Sequence, residues 1–555
     1  MALCLSVLLT ACGGTEEKGQ TDNKTVQTSA SAQNEDSKPA NMNEAGVFPI
    51  VKDKVTLSVL TNQNGLIVNM ETNEMTKYME EKTNVHIDWQ ISANLAETKS
   101  IFLASGDYPD VIFNGDITQE EQMIYGPKGV FIPLNELIEK YGVETKNMFN
   151  QLSFVKPEIT NPDGNIYALP MVSETYHMMF RYKMWINTEW LKNLNLKMPE
   201  TTEEFYQVLK AFKEKDPNGN KKQDEIPLSG ITNRFNEMPT YFSPVTYLMS
   251  AFITDDGNNR WVQPFNGKLD TILNKPEFKE GLKYLNKLYK EGLLDTEVFT
   301  QDPSVLKQKG ENAGTPLLGA VSSHGPHVFT NMDGETFKKY DAIPPLKGPA
   351  GVQTTAFVPE RVYQGCYVIT NKCKEPEAAF RWADWLYSEE ATQWTINGRE
   401  GKEWRKAEAG ETGINGKPAK WAIITKINEL QNVNWAQMGP SVRTAEWRLS
   451  QAAPTDIYSN AGFEARLYQA SKLYDPYHTE DIFPVNIFLP LENAAEVAQL
   501  RDALNKFVDE STARFITGDL DIESGWDGYI KSLNDIGLNR FIELNQKAYE
   551  MVYKK

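Results

Sequence analysis

Val55, Leu57 and Val59 alternate with polar or small neighbours, a helical stretch follows from Met70 to Lys82, and Val85, Ile87 and Trp89 alternate again. A period of two places one face of each strand against a core. A second helical stretch, Leu95 to Ser105, leads into the short apolar run Asp110-Val111-Ile112-Phe113. Strand–helix–strand–helix–strand order predicts a parallel sheet with right-handed crossovers. Ligands of such sheets bind beyond the carboxyl ends of the strands. Asn62, Asn64 and Asn114 to Asp116 follow two of those strands, so they are candidates for a cleft as well as ordinary turn residues.

Helical signals strengthen downstream. Thr201-Thr202-Glu203-Glu204 offers a capping box, and Phe205, Val208, Leu209 and Phe212 then fall on one helical face. Phe278, Leu282, Leu285 and Tyr289 form a second stripe, ended by Gly292. Pro376 opens a third helix, where Ala379, Trp382, Ala383 and Leu386 share a face. The region from about Leu491 to Tyr553 reads as further helices, with Phe515 and Trp526 as packing anchors. These stripes predict core, not cofactor contacts.

A chain of 555 residues exceeds one compact core and predicts two or more lobes. Its formal net charge of −18 argues against a broad grip on nucleic acid or anionic lipid, both of which reward a basic face. A few arginines in a cleft can still outvote a distant acidic surface.

Ala2 to Leu9 is a short apolar run followed by Leu9-Thr10-Ala11-Cys12-Gly13, the pattern of a lipoprotein signal with Cys12 as the acylated residue. The run is too short to span a bilayer, and it lacks a basic n-region, which leaves the start codon open. Residues 13–50 are rich in Thr, Ser, Asn, Gln, Glu and Lys and read as a disordered tether. The expected location is therefore the outer face of the cell membrane, held by lipid alone. With Cys4 and Cys12 accounted for, Cys366 and Cys373 remain, either paired or reduced and buried.

One loop carries ligand chemistry. Asp216-Pro217-Asn218-Gly219-Asn220-Lys221-Lys222-Gln223-Asp224-Glu225 places oxygen side chains at positions one, three, five, nine and ten. Calcium wants six to eight hard oxygens, and alternation of ligand and spacer lets a tight loop aim them inward while the Lys222 carbonyl fills position seven. The loop is not an EF-hand: Lys221 stands at position six, where a glycine is expected, and Pro227 at position twelve. The alternative is a solvated turn between a helix and a strand.

The run from Trp185-Ile186-Asn187-Thr188-Glu189-Trp190-Leu191 through Pro199 to Phe205 and on to Asp224-Glu225-Ile226-Pro227-Leu228 resembles the extracellular solute-binding proteins of family 1. The likeness continues at Tyr289-Lys290-Glu291-Gly292-Leu293-Leu294-Asp295, at Pro344 to Pro349, at Gly398-Arg399-Glu400-Gly401-Lys402-Glu403-Trp404 and at Phe515-Ile516-Thr517-Gly518. It spans nearly the whole mature chain and points to the large lipoproteins that serve oligosaccharide ABC importers, including alginate-oligosaccharide-binding proteins with a calcium loop of this pattern. The resemblance implies an α/β, two-lobed periplasmic-binding-protein-like (type II) fold closing on a sugar by a hinge motion. It implies structural calcium held by Asp216, Asn218, Asn220, Lys222, Asp224 and Glu225. Permease subunits that read the closed form, and a monomeric state, follow from the same likeness.

The expected lobes are residues 51–166 plus about 312–368, and about 167–311 plus 369–555. A pyranose has apolar faces and a hydroxyl rim, so its cleft needs aromatic rings together with amides, carboxylates or guanidinium groups. Candidates are Asn62, Asn64, Asp116, Tyr167 near a first crossover, and Ser322, Ser323 and His324 near a second. Arg399 and Glu400 could grip hydroxyls or form a structural ion pair, and Trp435 and Arg443 lie in a low-periodicity stretch suited to a binding loop. Each aromatic here has core packing as its competing role.

The chain is expected not to be an enzyme. It carries no His-Glu-x-x-His motif, no Gly-x-Ser-x-Gly elbow and no Walker loop, and nothing selects a carboxylate pair for glycoside hydrolysis. His86, His177, His324, His327 and His478 are scattered in sequence. The rival readings are a tethered carbohydrate-active enzyme, the same fold binding a peptide, and a surface adhesin.

Overall fold

The computed structural model describes residues 41–553 apart from 233–241, 256–260, 266, 313–314, 428 and 480. Cys12 and the signal segment lie outside the described residues, and Asn43 to the C-terminus forms one compact unit. The tether predicted to run to residue 50 stops earlier. Ile50 is fully buried, and the Arg381 guanidinium donates to the carbonyls of Asn43, Glu44 and Val47 at 2.6, 2.8 and 2.8 Å. An apolar anchor and a planar fork of donors suffice to order residues whose composition reads as coil.

The chain forms β1 (Val55–Asn62), β2 (Val85–Ser92), β3 (Val111–Phe113), β4 (Leu169–Ser173), β5 (Met184–Asn187), β6 (Ile226–Ser229) and β7 (Gln263–Phe265) in its first half. Next come β8 (Lys268–Asp270), β9 (Leu318–Ser322), β10 (Tyr340–Ile343), β11 (Val362–Ile369), β12 (Trp404–Lys406), β13 (Trp421–Ile423) and β14 (Ser441–Arg443). One sheet has six strands in the order β14-β4-β11-β3-β1-β2; a second has four in the order β10-β5-β9-β6. As expected, β2 and β3 flank β1 in parallel, with Val55 opposite Val85 and Val59 opposite Val111. The fold is α/β and two-lobed, one lobe around each sheet.

The sheets correct the expected lobe segments. β9 and β10 fall in the span assigned to the N-terminal lobe, yet they pair with β5 and β6 of the four-stranded sheet. β4 and β14, from spans assigned to the C-terminal lobe, belong instead to the first sheet, where β11 lies antiparallel between β3 and β4 as its span predicted. Helix Pro376–Trp385 packs on helices Asn135–Tyr141 and Glu144–Gln151 of the same lobe. Hydrophobic runs identify strands but not their partners, because pairing is decided by long-range packing. The chain thus passes between sheets twice, at residues 174–183 and 344–361, and between lobes a third time, from β14 to helix Phe463–Lys472. Tyr167 and Ser322 to His324, expected at crossovers, precede the first passage and end β9 respectively.

The helical expectations hold. Thr201 and Glu204 form the capping box of helix Thr202–Glu214, and Phe205, Val208, Leu209 and Phe212 are buried on its inner face. Helices Leu491–Thr517, Ile522–Ile536 and Leu538–Tyr553 close the second lobe, with Phe515 5.5 Å from the Tyr529 ring. No described helix is long and apolar enough to cross a membrane. Cys366 and Cys373 are both free; burial pushes each thiol up to about 12.

Candidate functional site

A cavity of about 890 Å³ opens between the sheets, inside the roughly 300–1,000 Å³ range of small-molecule sites. The six-stranded lobe gives it Met171 and Ser173 from β4, Arg443 from β14 and Asn397 from a helix end. The four-stranded lobe gives His324 and His327, which follow β9, and Phe463, Glu464 and Leu467 from helix Phe463–Lys472. Ser173, Arg443 and His324 all stand at or just beyond carboxyl ends of strands, the placement an α/β sheet favours.

One wall is aromatic. Trp421 on β13 stacks on Trp447 with centroids 5.1 Å apart and planes at 25°. The Trp421 indole N–H donates to the Trp447 carbonyl at 3.1 Å, and that of Trp447 to Gln393 Oε1 at 3.0 Å, so both planes are fixed. The facing wall stacks edges: His324 lies 4.7 Å from His327, and His327 4.7 Å from Phe463. Amides of Asn397, Gln431, Asn434 and Gln437 add hydrogen-bonding groups. The loop carrying three of them is backbone-strained, with Ala436 at φ +48° and Gln437 at φ +71°, an arrangement common at ligand sites.

Most charges at the cavity are neutralised locally. Arg448 meets Glu464 at 2.9 Å, Arg399 meets Glu403 at 2.8 Å, and Lys426 meets Asp333 at 2.8 Å. Burial holds the imidazoles of His177, His324 and His327 below their ordinary value, His327 at about 4, so this wall is uncharged at neutral pH. Burial also lowers Arg443, to about 10, which leaves it a cation.

The predicted site residues divide accordingly. His324 and Arg443 line the cavity. Tyr167 does not: it is buried in the first lobe's core, and its hydroxyl donates to Asp163 at 2.6 Å. Trp435 is fully buried among Trp89, Phe113 and Trp382, with its indole N–H on Thr76 at 3.0 Å. Ser322 and Ser323 are buried and donate to the carbonyls of Ser243 and Gly325. Arg399 forms its ion pair with Glu403, four residues on, while Glu400 faces Lys406 at 3.4 Å.

Asn62 accepts from the Asn114 amide at 2.9 Å, closing the ends of β1 and β3 together. Asn64 shapes the turn that delivers Leu66 to the cavity, accepting the Leu66 N–H at 2.9 Å. Asp116 lines a separate cavity of about 550 Å³. Its loop is pinned to the bulge of β11, where the Ile117 N–H donates to Gly365; Gly365 has φ +68°, and a Cβ there would meet the Ile117 oxygen at 2.0 Å. Trp421, Trp447, His177 and His327 line the cavity and carried no periodic signal, since they sit in a three-residue strand and in helical turns of three to five residues.

The acidic loop is wound tightly. Asp216 accepts the N–H groups of Asn220 and Lys221 at 3.1 and 3.0 Å, and Asn220 Oδ1 accepts that of Lys222 at 2.7 Å. The Asn218 and Asn220 amides donate to Asp224 at 3.3 and 2.9 Å. Lys221 has φ +62°, so it adopts the left-handed turn that glycine normally supplies at position six of a calcium loop. Glu225 Oε1 is buried without a hydrogen-bond partner. Burial, and then the Asp216 and Asp224 carboxylates, raise the Glu225 carboxyl above its ordinary value. Among the described residues no three His, Cys, Asp or Glu side chains form a metal site by themselves; the other donors here are amides and a carbonyl. The orphaned Glu225 oxygen is the donor here that a hard cation would satisfy.

Lobes joined by three passages, with a lined cavity between them, define a two-lobed ligand-binding protein. The profile of the bacterial extracellular solute-binding proteins matches residues 68–393, and the chain belongs to that family. Among curated relatives it is 28% identical over 546 residues to the fructooligosaccharide ABC transporter substrate-binding protein FusA of Streptococcus pneumoniae, covering 95% of each chain. It is 25% identical to the lipoprotein LipO of Bacillus subtilis, over 84% of this chain and 86% of that one. Solved structures of FusA include a complex with kestose, TM-score 0.75, and an EF-hand mutant with fructo-nystose, TM-score 0.76; both are 27% identical and cover 90% of this chain and 99% of that one. An HMO-binding ABC-transporter-associated solute-binding protein from Bifidobacterium longum infantis has TM-score 0.76 at 23% identity, over 90% of this chain and 100% of that one, and shows the fold.

Proposed function

We propose that this chain is the oligosaccharide-capturing component of an ABC importer, which binds its ligand by closing two lobes and releases it chemically unchanged. The observation that carries this reading is the stacked Trp421–Trp447 wall, facing a second wall from the other lobe across a cavity rich in amides. A sugar ring lays its C–H face on an indole and turns its hydroxyls to planar amides. Contacts from both lobes are complete only when the cleft is shut, so the ligand stabilises the closed state by its differential affinity. Similarity to FusA along almost the whole chain supports a sugar over a peptide and a carrier over an enzyme. The three passages between lobes form the hinge.

Cys12 is the acylated residue of a lipid anchor, a reading supported by its sequence context and by the similarity to a named lipoprotein. The acidic loop holds calcium through Asp216, Asn218, Asn220, Asp224, Glu225 and the Lys222 carbonyl, with the two amides turned to present oxygen. The ion would pin the turn between helix Thr202–Glu214 and β6; its ligands are not among the cavity-lining residues, so its role would be structural. The protein works as a monomer docking on permease subunits at the outer membrane face.

Calorimetry of the full chain against a panel of neutral and acidic oligosaccharides and peptides, with X-ray scattering in parallel, tests the proposal. Micromolar binding, about −8 kcal/mol, with a smaller radius of gyration and intact ligand recovered by mass spectrometry, is the expected result. Cleaved ligand, or a preference for peptides, would refute it.

A further inference from the structure

Arg443 is a buried cation in the cavity that no described carboxylate meets. The residue is 4% exposed, lines the cavity, and among the described residues forms no ion pair within 4 Å. Its Nη1 donates to the neutral Gln437 amide and its Nη2 touches the Met171 thioether at 2.7 Å. A thioether sulfur is a weak acceptor. Its Nε is buried with no hydrogen-bond partner among the described residues. Glu464, the carboxylate lining the same cavity, is engaged by Arg448 at 2.9 Å. Glu403 is taken by Arg399, and Glu429 stands 3.9 Å from Lys426. Lys426 answers both Asp333 and the exposed Glu429, so among the described residues Arg443 is the buried cation of the lining with no carboxylate within 4 Å.

A buried cation without a counter-ion is costly, and an isolated one is retained where something else completes it. The available partner is whatever fills the cavity. Guanidinium matches carboxylate and sulfate oxygens through paired N–H donors. Met171 lines the same cavity, and its flexible side chain can yield Nη2 to an incoming oxygen. Resting on the reading of the cavity as a sugar site, we propose that Arg443 seats an anionic group of the captured oligosaccharide, so that the ligand is an acidic sugar bearing uronate or sulfate. Neutral fructo-oligosaccharides of the kind bound by FusA in its solved complex would fit the aromatic wall but leave this charge unmet.

The test is calorimetry of the full chain with trigalacturonate, a sulfated trisaccharide and kestose at low and high salt. An acidic ligand should bind about 10- to 100-fold tighter than kestose, the range a charge-assisted contact provides, with the advantage shrinking as salt rises. The uronate and sulfate arms separate the two sources of charge. Arg443→Gln should remove most of that preference, and Arg443→Lys should restore part of it. Arg443→Met should melt, without ligand, no lower than wild type, because it deletes an unpaired buried charge; a residue holding the fold would lower it. Kestose binding as tightly as either acidic sugar overturns the inference and leaves the sugar reading intact. Failure of every sugar overturns both.

Discussion

Trp435 offers the sharpest check on how the cleft is built. Its side chain is fully buried, with ring centroids of Phe113, Trp382 and Trp89 at 5.6, 5.7 and 6.0 Å, and its indole N–H donates to Thr76. Asn434, Ala436 and Gln437, its immediate neighbours, line the cavity, so the tryptophan nails a binding loop to the core of one lobe. Trp435→Ala loses the transfer energy of the ring and leaves a void between three aromatics that cannot collapse together. The expected cost is about 3–5 kcal/mol, a large part of a domain's roughly 5–15 kcal/mol. At roughly 2–4 °C per kcal/mol for a lobe of this size, the melting temperature falls by about 6–20 °C. Trp435→Phe keeps the ring packing in part and loses the hydrogen bond to Thr76, for a drop of about 1–3 kcal/mol. Calorimetric melting of both variants, with titration of ligand below the transition, separates stability from affinity. Trp435→Phe should bind within a few-fold of wild type. Wild-type melting of Trp435→Ala combined with lost binding would show that the ring touches ligand, and would sink the packing account.

Removal of divalent ions should lower the melting temperature of the second lobe. At a calcium concentration 100-fold above Kd, the ion contributes about 2.7 kcal/mol, and Asp224→Ala should erase the difference between chelated and calcium-loaded samples. Lys221→Gly should stabilise the ion-free protein by about 1 kcal/mol, since glycine takes φ +62° without strain; an unchanged or lower melting temperature would deny that strain. Trp447→Ala, which removes the half-buried partner of the stacked pair, should weaken sugar binding about ten-fold, as roughly 50 Å² of apolar contact contributes about 1–1.5 kcal/mol, with the fold intact by circular dichroism. Acidification should destabilise the protein. His327 binds its proton only near pH 4 when folded but near 6.5 when unfolded, so stability present above pH 6.5 is lost as pH falls toward 4, and His327→Gln should flatten that part of the pH–stability curve.

The sequence shows the strands and helices of the first lobe plainly because their alternation is regular: β1 and β2 bury Val55, Leu57, Val59, Val85, Ile87 and Trp89 as the period of two requires. The capping box at Thr201 is a local device and equally readable. Lobe membership was not, because β9, β10 and β11 are similar apolar runs and only their distant partners decide between sheets. Trp435 and Tyr167 look like ligand contacts in sequence, since a tryptophan in a loop and one in a core share the same letter. Trp421 and Trp447 escaped notice for the converse reason. Two three-residue strands and irregular connections bring them together across 26 positions, and no pattern marks that meeting.

The position of β11 between β3 and β4 has a consequence for biogenesis. Until residue 369 has been synthesised, the first sheet lacks a middle strand, and the edges of β3 and β4 have nothing to pair with. Such an order of assembly delays cooperative folding until most of the polypeptide is available. The second sheet has all four of its strands by residue 343, so the two lobes can acquire their sheets in an order opposite to the one in which their first strands emerge.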